Sequence, residues 1–352
     1  MSKALQSNSI FIGQESHHLL NNFVRDNAYS SVFVLVDSNT KKYCLQRFLD
    51  QVNFEVTSIE IKAGETYKTV ETCMEIWDFL SNNGADRKSL LINLGGGVVT
   101  DIGGFAASCF RRGVAFLHIP TTLLGMVDAA IGGKNGVDFK HLKNQIGVIN
   151  QPKMIVYDFQ YLNTLALSEL KSGYAEAVKH GLIQSEDYFN ACIEIEDINH
   201  NTIMPIIEKS IEIKLNIVLE DTEEKGIRKA LNYGHTLGHA IETFRMGLQP
   251  VKHLLHGEAI AIGLVLETFL SKELFGFPKE RLDALKRFVD SVYTKQDFSV
   301  EDQIEIISLM KFDKKNIGKD INFVLLKDIG KPILDCKVEN ELIFRAFEYY
   351  KM

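Results

Sequence analysis

Nowhere in its 352 residues does the chain carry an apolar run long enough to cross a bilayer. The longest, Ala259 to Leu266, is eight residues, where a spanning helix needs about 20. The segment Met1 to Gly13 lacks the basic flank and apolar stretch of a secretory leader. A cytoplasmic location without a membrane partner is therefore expected. Cysteine is sparse: Cys44, Cys73, Cys109, Cys192 and Cys336 are odd in number, scattered, and never at C-x-x-C spacing. That excludes a cysteine metal knuckle and a redox dithiol, and leaves reduced, mostly buried thiols as the expectation. Positive charge is in deficit too. The net charge of −7 argues against a broad nucleic-acid surface. Internal repeats, low-complexity tracts and a Pro/Gly-rich linker are also missing.

What remains is an ordinary globular composition, 45% hydrophobic and 24% charged, long enough for two domains. In the first half, short β-rich runs alternate with helical patterns. Ser31 to Val36, Glu55 to Ile61, Ser89 to Leu94, Val114 to Ile119 and Met154 to Tyr157 are candidate strands. Thr66 to Leu80 carries apolar residues at helical spacing. Such alternation implies βαβ units, a mostly parallel sheet covered on both faces, and ligands at the carboxyl ends of its strands. After about residue 160 the spacing becomes helical. The candidate helices are Ser168 to Ile183, a run through Ile207, Ile211, Leu215 and Val218, Ile227 to Thr243, Gly257 to Leu274, and Lys279 to Val292. Ile321 to Leu326 is a candidate strand. The expected organisation is an α/β nucleotide-binding domain over residues 1–160 and a mainly α-helical, metal- and substrate-binding domain over 161–352.

Ser89 to Leu94 runs into Gly95-Gly96-Gly97, then Val98 to Gly104. Strand, glycine turn and helix together let backbone N–H groups approach a pyrophosphate. The turn is not G-x-G-x-x-G, since Thr100 stands at the last position, and a tight turn without ligand is the plain alternative. Asp37 ends the first strong strand, where a carboxylate can accept from ribose hydroxyls. By itself such an aspartate is more simply a helix N-cap. Paired with the glycine turn it favours a dinucleotide, and a carboxylate there favours NAD.

The second half carries His235 and His239 at i and i+4, on one helix face. His256-Gly257-Glu258 follows seventeen residues later, and Glu176 stands upstream in Gly173 to His180. Imidazole and carboxylate together suit a catalytic zinc, although H-x-x-x-H alone is weak and His253 is a plausible decoy. Basic residues crowd the same motifs: Arg111-Arg112, Lys134, Lys143, Lys179, Lys214, Arg228 and Lys314-Lys315. Singly, each is an ordinary solvated charge. Converging, they supply the anion site that the overall charge denies.

Gly95 to Gly104, Phe110-Arg111-Arg112-Gly113, Pro120 to Leu124, Asp128, Ile131 to Asp138, Lys143-Asn144, Gly173 to His180, Leu231 to His239 and His256-Gly257-Glu258 together resemble the 3-dehydroquinate synthases. The resemblance runs from Asp37 to Lys315. It implies conversion of 3-deoxy-D-arabino-heptulosonate 7-phosphate to 3-dehydroquinate and phosphate, in the shikimate pathway of aromatic amino acid biosynthesis. The implied route is transient oxidation by NAD, β-elimination, reduction and intramolecular aldol closure. It also implies roles position by position. Zinc, with cobalt as an alternative, would be held by Glu176, His235 and His256. NAD would contact Asp37, Asn39, Glu65, Lys68, Gly96, Gly97, Asp101, Thr121, Thr122, Lys143 and Thr164. Substrate would be held by Arg112, Lys134, Asn144, Lys214, Glu224 and Lys315, and worked on by Lys179, Asp128, His239, Arg228 and Asn232. A homodimer is the implied assembly. Rival readings are another sugar phosphate cyclase, of 2-deoxy-scyllo-inosose or valiolone type, or a metal-dependent polyol dehydrogenase. Asn232 and Gly132-Gly133-Lys134 favour the dehydroquinate enzyme.

Overall fold

The structure is a computed structural model, described over residues 10–13, 16–139, 142–248, 254–310 and 321–352. The chain forms two compact units, Met1–Ala166 and Leu167–Met352.

The first unit is built on β1 (Ile10–Ile12), β2 (Val32–Asp37), β3 (Thr57–Ile61), β4 (Leu90–Gly95), β5 (Ala115–Pro120) and β8 (Ile155–Tyr157). They form one sheet in the order β1-β8-β5-β4-β2-β3, with every pairing parallel. The side chains explain why these strands are apolar without a break. Phe33 and Leu35 enter one core with Ile59, Ile61 and Leu91, while Val32, Val34 and Val36 enter a second with Leu90, Ile92 and Leu94. A strand buried on both faces has no polar face to alternate with. The first core is closed by α4 (Val70–Asn82) and α5 (Gly97–Cys109), the second by α1 (Ser16–Asn27) and the short α3 (Leu45–Leu49). The short helix α2 (Ser38–Tyr43) follows β2 directly.

The motif-rich stretch after β5 adds an antiparallel pair, β6 (Lys134–Phe139) and β7 (Leu142–Ile149), which the periodicity did not suggest. Its sequence, KNGVDF against LKNQIGVI, is too polar and glycine-containing to stand out as strand.

The second unit contains α6 (Leu167–Gln184), α7 (Glu186–Ile193), α8 (Met204–Glu220), α9 (His235–Gly247), α10 (His256–Phe275), α11 (Lys279–Val292), α12 (Val300–Leu309) and α13 (Asn340–Lys351). It also holds one antiparallel pair, β9 (Phe323–Asp328) with β10 (Lys331–Cys336). Pro205 falls in the first turn of α8, where its missing N–H costs nothing. Along α10 every residue from Ala259 to Ser271 is buried, so it is apolar all round rather than striped. One expectation needs correction. Ile227 to Thr243 is not a single helix: a 3-10 segment, Ile227–Asn232, ends at Tyr233, and α9 starts at His235 after Gly234. Gly234 has φ +78°, a left-handed value that a β-carbon disfavours. The fold class is thus α/β with a parallel sheet in the first unit and mainly α-helical in the second.

Candidate active site

In the first unit, Asp37, Gly95 and Pro120 end neighbouring strands at the carboxyl edge of the sheet. Gly96 caps α5, and a β-carbon on it would lie 2.8 Å from Cγ2 of Thr122. Further along α5, a β-carbon on Gly104 would lie 1.9 Å from Oδ1 of Asn135. Glycine is therefore required both at the turn and along the helix, and α5 presents its unpaired N–H groups with no side chain in the way. Asp37 does serve as an N-cap: its Oδ1 accepts from the N–H of Thr40 at 2.7 Å, and its own N–H donates to Thr40 Oγ1.

Five of the anticipated cofactor and substrate residues of this unit join one charged network. Lys68 Nζ donates to Asp101 Oδ2 and to Asn144 Oδ1, each at 2.6 Å, and Glu65 Oε1 lies 3.3 Å from Lys143 Nζ. Burial works against the Lys68 charge, but Asp101, Glu65 and Asp138 outweigh it and raise its pKa. Asp138, which the sequence reading left without a role, accepts from the N–H of Asn144 at 2.7 Å. Asn144 has φ +52°, so that bond holds it in a left-handed turn beside Lys68. Thr164 donates its hydroxyl to Tyr161 O, and its side chain meets the buried Cys44 thiol, as does that of Thr121. Burial pushes that thiol up to about 11, so it stays protonated at neutral pH. Arg112 is exposed, in the left-handed pair Arg111-Arg112. Asn39 is exposed in α2, Asp128 lies in the turn Gly125–Ala129, and Lys134 begins β6.

The second unit gathers its candidates more tightly. Glu176 on α6 is 0% exposed. Its Oε2 is ion-paired with Lys179, one turn on. Its Oε1 lies 3.4 Å from His235 Nε2 and 3.5 Å from His256 Nε2. Ligand atoms of His235, His239 and His256 all lie within 4.8 Å of one another. The far side of each key ring is also engaged: His235 Nδ1 faces Tyr233 O at 3.0 Å, and His256 Nδ1 faces Glu242 Oε2 at 3.1 Å. Bonded this way, each imidazole turns its Nε2 toward Glu176. Burial disfavours a charge on His256, but Glu242 and Glu176 overcome it and raise its pKa to about 9. The donor set, one buried carboxylate oxygen among imidazole nitrogens, could hold a divalent cation.

A loop after α8 organises the remaining residues. Asp221 accepts from the N–H groups of Lys225, Gly226 and Arg228 at 3.0, 2.7 and 3.1 Å. Desolvation opposes its charge, yet those donors hold its pKa below the ordinary carboxylate value. Arg228 is only 2% exposed, and its Nη1 donates to Thr222 O. Asn232 donates to Glu224 Oε1 at 2.9 Å, and Lys214 is buried on α8. Lys314, Lys315 and His253 lie outside the described residues.

Residues 58–172 match the family model described as 3-dehydroquinate synthase N-terminal, and residues 173–316 match 3-dehydroquinate synthase C-terminal. The chain belongs to the 3-dehydroquinate synthase family. It is 41% identical to the 3-dehydroquinate synthase of Parabacteroides distasonis, over 94% of each chain. Against the enzyme of that name from Crocosphaera subtropica the identity is 37%, over 86% of this chain and 84% of the relative. In fold it is similar to a 2-epi-5-epi-valiolone synthase from Streptomyces hygroscopicus, solved with NAD+ and Zn2+ bound. The TM-score is 0.83 at 24% identity, over 98% and 97% of the two chains.

Two buried carboxylates that frame the family's histidines escaped the sequence reading. Glu242 stands seven residues after His235 and three after His239, a spacing that shares their helix face. Glu267 is 0% exposed on α10, and it accepts from the N–H groups of Gly234 at 2.7 Å and Leu237 at 3.0 Å. It caps α9 from a neighbouring helix, because Gly234 has no side chain to do so. A charge inside so apolar a helix has to be paired, and that was the available signal.

Proposed function

We infer that this chain acts as a 3-dehydroquinate synthase, a phosphate lyase that closes 3-deoxy-D-arabino-heptulosonate 7-phosphate into 3-dehydroquinate within the shikimate pathway. The observation that carries this is the buried Glu176 carboxylate, with Oε1 3.4 and 3.5 Å from two imidazole nitrogens and Oε2 on Lys179. Those donors fit Zn2+, and Co2+ equally. Glu176, His235 and His256 would hold the ion, with His239 close by. Glu65, Lys68, Asp101 and Lys143, with Asp37, Asn39, Gly96, Gly97, Thr121, Thr122 and Thr164, would hold NAD. The ion would supply a Lewis acid, and NAD a hydride acceptor that is regenerated within each turnover.

The remaining tasks fall to the chain's own side chains. Lys179, ion-paired with Glu176, would steady negative charge that develops on substrate oxygens. Arg228 and Lys214 in the second unit supply the basic charge that a phosphate dianion needs and the overall charge of −7 does not. Asp221 fixes the Arg228 backbone and Thr222 O accepts from its Nη1, so the guanidinium is placed before substrate arrives. Asn232 is held by Glu224, and His239 would move a proton. Arg112, Asp128, Lys134, Asn144 and Lys315 are the remaining residues proposed to act on substrate. We place the enzyme in the cytoplasm as a homodimer. Among the described residues, no helix is long and apolar enough to cross a membrane.

The deciding assay follows phosphate release and NADH absorbance together, with zinc-loaded protein, the heptulosonate phosphate and catalytic NAD. Phosphate far in excess of NAD, with no lasting NADH, is expected. Steady NADH accumulation would instead identify a dehydrogenase, and turnover of a hexose 6-phosphate or a heptulose 7-phosphate alone would identify a different cyclase.

Arg228→Ala should lower kcat/KM about a hundredfold, the equivalent of losing roughly 3 kcal/mol of charge-assisted hydrogen bonding. The dissociation constant for NAD should stay the same. Arg228→Lys keeps the charge but not the planar fork, and should recover only part of the loss. Equal weakening of substrate and NAD would remove the phosphate role.

A further inference from the structure

Glu242 carries no role in the site as proposed so far, yet its placement is specific. It projects from α9 two turns beyond His235, and its side chain is 5% exposed. Its Oε2 faces His256 Nδ1 at 3.1 Å, across from α9 to α10. The opposite nitrogen of the same ring, Nε2, faces Glu176 at 3.5 Å. A neutral imidazole has one N–H and one lone pair, and an ionised carboxylate can only accept. With Glu242 accepting from Nδ1–H, the neutral tautomer, the one able to bind a cation, has its lone pair on Nε2, the atom turned toward Glu176. His235 reaches the same polarity by a different partner, the backbone carbonyl of Tyr233 at 3.0 Å. A carbonyl supplies a dipole, whereas a carboxylate supplies a full charge. A charged acceptor makes an imidazole more basic and a stronger donor. The two ligand histidines are therefore not equivalent.

We propose that Glu242 is a positioning residue that fixes the tautomer and orientation of His256, and so sets the affinity of the site for a divalent cation. The inference rests on the metal reading given above. It also assigns a different kind of task to Glu267, which accepts from backbone N–H groups in the N-terminal turn of α9. Glu267 holds the helix that carries His235, whereas Glu242 acts on a ligand ring itself.

The test uses the full chain, stripped of metal and titrated with Co2+ against a competing chelator while the visible d–d absorption is followed. Wild type, His256→Ala, Glu242→Gln and Glu242→Ala are compared. Wild type should take up one Co2+ per chain, and His256→Ala should lose that uptake. Glu242→Gln keeps a neutral acceptor and should weaken Co2+ about tenfold, and Glu242→Ala about a hundredfold. Both should shift the d–d bands, which a change in packing remote from the ligands would not do. The affinity for NAD should not change. Should Glu242→Ala fail to fold, the Glu242→Gln affinity and band position decide. If wild type binds Co2+ and Glu242→Gln matches it in both affinity and spectrum, the inference is overturned while the metal site stands. If wild type takes up no Co2+, the metal reading and this inference fall together.

Discussion

Replacing His256 with alanine is expected to abolish metal binding and turnover together. The variant removes the Nε2 atom that lies 3.5 Å from Glu176 Oε1, opposite a His235 Nε2 at 3.4 Å. A metal ion contributes several kcal/mol of charge stabilisation in the transition state. Losing about 4 kcal/mol corresponds to a thousandfold fall in rate. Metal content by atomic emission and phosphate release should therefore fall in step, with NAD still bound through the first unit. Retained stoichiometric zinc with normal activity would remove His256 from the ligand set.

The parallel sheet was legible because strands buried on both faces are apolar at successive positions, as in Val32 to Val36. Lys279 to Val292 was legible for the opposite reason. It is a surface helix with one apolar face, and its expected and observed bounds coincide. Failures came where local pattern and tertiary need diverge. Ile227 to Thr243 has helical spacing throughout, but Gly234 turns left-handed and Glu267, thirty-three residues on, supplies the cap that restarts the helix. No window of sequence contains both partners. The pair β6–β7 was hidden by residues of low strand propensity, Lys134, Asn135 and Lys143-Asn144 among them. Asp37 illustrates a third case. It was read as a ribose acceptor with an N-cap as the simpler alternative, and the cap is present, made by Oδ1. The carboxylates that orient other residues, Glu242, Glu267, Asp138 and Asp221, were missed together. Each acts through a hydrogen bond whose partner only the fold reveals.

Gly257→Ala should cost the second unit about 3 kcal/mol and weaken the metal site with it. An added β-carbon at 257 would lie 1.8 Å from the carbonyl oxygen of Ser172 and 2.4 Å from its carbonyl carbon. Both are backbone atoms of α6, so no rotamer change relieves the clash, and overpacking of that kind costs roughly 1–3 kcal/mol or more. The N–H of Gly257 also donates to Ser172 Oγ at 2.9 Å, a bond that would be lost as the helices part. Gly257 adjoins His256, and Ser172 lies one turn before Glu176. Separating α6 from α10 thus moves a carboxylate oxygen away from an imidazole that now faces it at 3.5 Å. Gly247→Ala is the control. A β-carbon there meets nothing within 4 Å at the end of α9, and alanine should leave stability equal or higher. Urea midpoints for the metal-free proteins, with Co2+ titrations beside them, separate the two effects. A fall in both for Gly257→Ala, and in neither for Gly247→Ala, is the expected pattern. Stability and Co2+ affinity both at the wild-type level in Gly257→Ala would mean that helix spacing at Ser172 does not set the geometry of the site.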